Sequence, residues 1–285
     1  MVWLPRWGCN GMIGSNQKLL MARAGVSAGG PWDIGGASYS GLSFGIAPQE
    51  ITPASVFFKP DGSKMYITGT SSDTVHEYSL GTAWDISTSS YFQGFSVSAQ
   101  EANPQGLFFK PDGTQMFVTG NTGDDVNEYS LSTTWDISTA SFVQVFSVAA
   151  QETNPVGIVF KEDGSKMYIV GATGDDVSEY SLSIAWDIST ASFVQVFSVA
   201  TEETIPQDIF FKDDGSKMYI VGATGDDVNE YSLSTAWDIS TASYSKNFSV
   251  AAQDASPTGL FFKPDGTRFY VTGADSDTVY AYDIS

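Results

Sequence analysis

Pairs of aspartates recur along this chain at a fixed interval: Asp124–Asp125, Asp175–Asp176 and Asp226–Asp227, each inside a "TGDD" stretch. Vicinal carboxylates offer the hard oxygen ligands that calcium takes, so these six side chains could hold calcium, the one cofactor the sequence suggests. The spacing is not that of an EF-hand loop. In the first and last copies the stretch becomes Asp73-Thr74 and Asp277-Thr278. One Asp therefore recurs in every copy, which equally suits an Asx-type turn bonding nearby backbone N–H groups. Glu101, Glu152 and Glu203 recur one short segment upstream and complete an acidic ligand-binding candidate set with the Asp pairs. Trp84, Trp135, Trp186 and Trp237 form a second set. An indole face stacks on sugar rings, so one Trp per copy could serve a weak multivalent glycan binder; the neighbouring Ile of each "WDIS" fits packing against the outer strands instead.

Groups for catalysis are sparse. His76 is the single histidine, at a position where other copies carry Asn127, Ser178, Asn229 and Tyr280, and reads as a surface side chain. Cys9 is the single cysteine, so no internal disulfide can form. Carboxylate pairs can cleave glycosides, but nearly all acids recur in every copy, and none stands out as a unique catalyst. Asp208, which replaces Gly106, Gly157 and Gly259, is the exception, and reads as a residue at a solvated channel mouth.

The interval itself is the strongest signal. "FKPDG" or a close variant starts at Phe58, Phe109, Phe160, Phe211 and Phe262, and "WDI" at Trp84, Trp135, Trp186 and Trp237, each 51 residues after the last. Within one unit, "GLFFK", "QMFVTG", "VNEYSL" and "SFVQVFSV" read as four strands, A to D, with "PDGT" as a tight hairpin turn between A and B. Four antiparallel strands per repeat is the plan of a β-propeller blade. The chain stops after strand C of the fifth unit. The segment before the first unit, "PWDIGGASYSGLSFGIAPQEITP", supplies an orphan strand D. The expected fold is therefore all-β: a five-bladed propeller over residues 31–285, in which Tyr39–Ile46 pairs with the strand containing Val279–Ile284 and both sheet edges are hidden. Trp32 to Trp84 is 52 residues, and a bulge at Gly41 would absorb the extra one.

"KPDGTRFYVTGADSDTVYAYDIS" (Lys263–Ser285) resembles the blades of YVTN- and NHL-type propellers, with a "PDG" turn followed by "YVTG". The "TAWDISTAS" connection is similar to repeats of bacteriophage virion proteins and bacterial surface proteins. That resemblance implies a non-enzymatic module, displayed on a virion and attaching to a host-surface glycan or protein. The alternative it leaves is an extracellular or cell-surface bacterial lectin or adhesin, and the third reading is a lactonase- or glycosidase-like propeller enzyme.

Charge and composition narrow the partners. The net charge of −20 argues against nucleic acid. No stretch reaches the roughly 18–20 apolar residues that span a bilayer, so membrane insertion is not expected. Residues 1–30 carry no repeat. With Trp3 and Trp7 they read as a leader anchoring the ring to another virion or surface structural protein. In a propeller the B–C and D–A loops share one face and the A–B turns and C–D connections the other. Lys59, Lys110, Lys161, Lys212, Lys263 and their neighbours gather on the second face, while the Asp pairs and the D–A glutamates gather on the first. One acidic, ligand-facing face and one basic face are expected.

Overall fold

A computed structural model describes residues 29–285. They form five four-stranded antiparallel sheets around an axis. In blade 1 the strands are A (Pro53–Phe58), B (Lys64–Gly69), C (Thr74–Leu80) and D (Ser89–Ser96). Blades 2, 3 and 4 repeat this order from Pro104, Pro155 and Pro206. Strand A is short and apolar because it lies at the axis with both faces covered: every residue of Pro53–Phe58 is buried. Strand D is outermost and alternates half-buried with exposed positions, the period-2 pattern of a one-sided strand.

The fifth blade closes as the sequence requires. Its A, B and C strands (Pro257–Phe262, Arg268–Gly273, Thr278–Ile284) are completed by Ala37–Gly45, paired Tyr39↔Tyr282 and Phe44↔Val279. In blades 1 to 4 strand D carries one extra residue opposite the middle of strand C, as between Tyr91 and Gln93. The closing strand carries two, between Tyr39 and Ser43. Gly41 takes up the additional residue at φ 83°, and Ser40 Oγ donates to the Ala281 carbonyl across the bulge at 2.8 Å.

The C–D connections, read from sequence only as long loops, are ordered. Each holds one turn of 3₁₀ helix, such as Ile137–Thr139, capped by the preceding Asp: Asp136 accepts from the Ser138 N–H. The Trp before that Asp adopts a left-handed backbone, φ 62–71° in all five copies, which is costly for a bulky residue. Hydrogen bonds hold it there. The Trp135 N–H donates to the Gly113 carbonyl of its own A–B turn. The Trp135 carbonyl accepts from Lys64 Nζ and Tyr66 Oη of blade 1, both at 2.8 Å. Trp237, Trp32 and Trp84 join their neighbouring blades in the same way.

At the seam between blades 2 and 3 the donor positions are Gln115 and Phe117, and among the described residues neither donates to the Trp186 carbonyl; Gln115 turns to Glu128 instead. Restoring the pair with Gln115→Lys and Phe117→Tyr should add about 1 kcal/mol of stability. Thermal denaturation should show this as a rise in Tm of about 2–4 °C. An unchanged or lowered Tm would mean that this bond does not secure the seams.

Candidate functional site

The repeated acids are mostly structural. Glu101, Glu152 and Glu203 are buried, not displayed. Glu101 accepts from the backbone N–H groups of Asn103 (2.7 Å), Thr122 (3.2 Å) and Gly123 (3.4 Å), tying the D–A loop to the B–C loop. Glu152 and Glu203 do the same in blades 3 and 4. Asp124, Asp175 and Asp226 turn the chain at φ 48–50°. Asp125 and Asp227 accept from Asn127 and Asn229 within their own strands at 2.6 Å. Burial and the adjacent glutamates Glu101 and Glu152 push Asp125 and Asp176 up to about 6, and Asp227 is raised mainly by burial. Among the described residues no three His, Cys, Asp or Glu side chains gather as a metal site would need.

The tryptophans are engaged mainly in packing, although Trp237 also lines a cleft and a bowl on the A–B face. One face of the Trp84 ring lies on Gly62, where an added Cβ would come within 2.4 Å of it, and the ring stacks on Phe58, Phe261 and Tyr270. Trp135 is 7% exposed and stacks on Phe57, Tyr66 and Phe109. Trp186 stacks with Phe108 and Phe160, and Trp237 with Tyr168 and Phe211. The packing is at the seams between blades near the axis rather than against the outer strands. Trp3 and Trp7 lie outside the described residues.

Three further expectations are corrected. His76 is 5% exposed, not a surface side chain. Its Nε2 lies 2.9 Å from Ser72 Oγ, which donates to Glu50 Oε2 at 2.7 Å, and burial lowers its pKa. Asp208 is not at a mouth: the axis is closed around it. It lines a cavity of about 20 Å³ with Phe57, Phe108, Val159, Phe210 and Phe261 and accepts from the Ile209 (2.8 Å) and Leu260 (3.0 Å) N–H groups. Burial pushes its carboxyl up to about 8. The A–B face, finally, is not basic, because every Lys and Arg among the described residues is paired with an acid, five of them with the Asp of their own turn.

What distinguishes one part of the ring from the rest lies on that A–B face. Strand A ends there in an apolar bowl of about 290 Å³, floored by Phe57, Phe108, Val159, Phe210 and Phe261. In blades 1, 2 and 5 its rim is proline: Pro60, Pro111 and Pro264. In blades 3 and 4 the rim is Glu162 and Asp213. These two acids share a cleft of about 350 Å³ with Lys161, Asp163 and Trp237. Lys161 and Lys212 are already engaged by Asp163 and Asp214, each at 2.7 Å, which leaves Glu162 and Asp213 without a basic partner among the described residues. Asp213 is exposed at the rim, but partial desolvation by the cleft wall and then the Glu162 charge raise its pKa. The signal was in the sequence as "FKEDG" and "FKDDG" against "FKPDG".

No protein-family model and no curated protein matches this chain. Solved structures do. A protein from Lactobacillus plantarum is similar with a TM-score of 0.52 and 14% identity over 81% of this chain and 67% of that one. A putative 6-phosphogluconolactonase from Bacteroides uniformis is similar with a TM-score of 0.51 and 15% identity over 80% of this chain. The match spans 65% of that protein's length. The likeness is one of fold. It is the β-propeller fold. The expectation of a non-enzymatic virion module is corrected at this point: the solved structures this chain resembles include one described as a putative 6-phosphogluconolactonase, and the ring carries a carboxylate pair, Glu162 and Asp213, that departs from the other blades.

Asp208 gives this geometry a pH signature. Its folded pKa of about 8 lies above the unfolded value of roughly 4, so the folded state keeps a proton the unfolded state has lost. Its contribution is full below pH ~4 and is lost as the pH rises through about 8. Between pH 5 and 8 the Tm of the native protein should therefore fall several degrees relative to that of Asp208→Asn. Parallel curves would show that Asp208 titrates normally.

Proposed function

We propose that this protein is a hydrolase that opens a small, uncharged lactone, with the bowl and cleft of the A–B face as its active site. The "PDG"–"YVTG" pattern supports a place among YVTN- and NHL-type propellers, and the likeness to a putative 6-phosphogluconolactonase supports the reaction class. The observation that carries the reading is the break in fivefold symmetry at Glu162 and Asp213.

The raised carboxyl of Asp213 suits an acid, and the neighbouring Glu162 is the base of the proposed pair. In the proposed cycle the ionised Glu162 takes a proton from water in the cleft, and the water oxygen attacks the ring carbonyl. The C–O ring bond then breaks, and protonated Asp213 gives its proton to the departing ring oxygen. Passing the proton from Glu162 back to Asp213 restores the pair. The apolar floor excludes water from the rest of the ring. A phosphorylated lactone suits this rim poorly, since its bases are already paired and its free groups are anionic. The carboxylate product is repelled for the same reason, which favours its release.

The test is the rate of opening of an unphosphorylated δ-lactone above its spontaneous hydrolysis. Glu162→Gln should lower kcat by about 100-fold or more. Asp213→Asn should slow ring opening and remove the loss of rate that the native protein shows as the pH rises through the pKa of Asp213. Tm should hold in both variants, because both side chains are exposed. A native rate no faster than the spontaneous one, or full activity in both variants, would overturn the assignment.

A further inference from the structure

The floor of the bowl has its own asymmetry, beside the carboxylates. Four of its five positions are phenylalanine. Three edge-to-face contacts link them in the order Phe108–Phe57–Phe261–Phe210, at 5.5, 5.1 and 5.3 Å between ring centroids and 69–73° between planes. This is the favoured geometry for aromatic pairs. The circle stays open between Phe108 and Phe210, because blade 3 places Val159 there. Phe57 and Phe261, inside the chain of contacts, are 8% and 7% exposed, whereas Phe108 and Phe210, on either side of the gap, are each half-buried. The gap lies on the strand that leads, three residues later, to Glu162.

We propose that this gap is a subsite for an apolar substituent, alkyl or aryl, on the lactone ring, and that Val159 is the residue that determines this specificity. The proposal rests on the hydrolase reading above and names its substrate class. A planar group seated over Val159 meets Phe108 and Phe210 at its two edges and completes the circle of rings. The same strand then brings the lactone carbonyl toward Glu162 and Asp213. A sugar lactone, with a hydroxyl on nearly every carbon, would leave those hydroxyls unpaired on this floor, and unpaired polar groups are costly there. Valine in place of phenylalanine removes part of a ring from this point of the floor, so the chemistry selected there is apolar.

The experiment compares γ-butyrolactone with γ-phenyl-γ-butyrolactone on the native protein, Val159→Phe and Val159→Ala. Phenylalanine is the residue of the other four blades at this position, so the first variant is sterically at home in the ring. The native protein should prefer the phenyl compound. Val159→Phe should lower kcat/KM for that compound by about tenfold or more, with a much smaller change for the unsubstituted ring. Val159→Ala should keep or increase the preference. Equal ratios in the native protein and Val159→Phe would overturn the proposal. A binding measurement separates it from the hydrolase reading: saturation-transfer NMR with benzyl alcohol, which is not a substrate. If no lactone is opened but benzyl alcohol contacts the native protein and not Val159→Phe, the hydrolase reading fails and the subsite stands. If benzyl alcohol contacts both proteins equally, or neither, the subsite fails.

Discussion

The pairing of Ala37–Gly45 with Thr278–Ile284 is what the rest of the molecule depends on. Without Ala37–Gly45 the last blade would stop at three strands and the two ends of the ring would not be fastened to each other. Closure also makes each blade accept the same neighbours. The seams enforce this locally. A Trp held in left-handed backbone lends its carbonyl to a Lys or Arg and a Tyr of the preceding blade at four of five seams, so rotation of one blade against the next would break two hydrogen bonds and unseat an indole.

Fold and architecture were readable because the period of 51 residues repeats both the turn chemistry and the apolar strands, and because a missing strand at one end matched a spare strand at the other. The extra residue near Gly41 was readable for the same reason: a count of residues maps directly onto a bulge. The roles of the recurrent polar residues were not. Glu101 and its equivalents look displayed in a polar loop, but three backbone N–H groups converge on each carboxylate and draw it inward. Trp135 looks like a loop aromatic, but its ring is placed by contacts with strands more than 60 residues away in sequence, which no local pattern reveals. His76 and Asp208 are substituted freely between blades, a pattern that suggests solvent; burial turns out to be compatible with it, because Ser72 and Glu50 support the first and two backbone N–H groups the second.

Glu162, Asp213 and Val159 are legible in the sequence only by comparison across blades. Each replaces a residue shared by most blades, and each replacement is small when viewed inside its own unit. Their meaning comes from adjacency: the ring brings blades 3 and 4 side by side, so that three departures 3 and 51 residues apart in the sequence face one bowl. Proline at the other rim positions carries no charge and no N–H. Two carboxylates there, above a floor of aromatic rings and beside lysines already committed to other acids, repel each other. That combination raises the pKa of Asp213.

The coupling between these two side chains can be observed directly by a ¹³C carboxyl NMR titration of the native protein and of Glu162→Gln. Asp213 should titrate above the ordinary aspartate range in the native protein, and its midpoint should move down when the Glu162 charge is removed. An Asp213 that titrates as an ordinary exposed aspartate, with the same midpoint in both proteins, would contradict the influence of Glu162 on Asp213 and with it the acid–base pair of the proposed function.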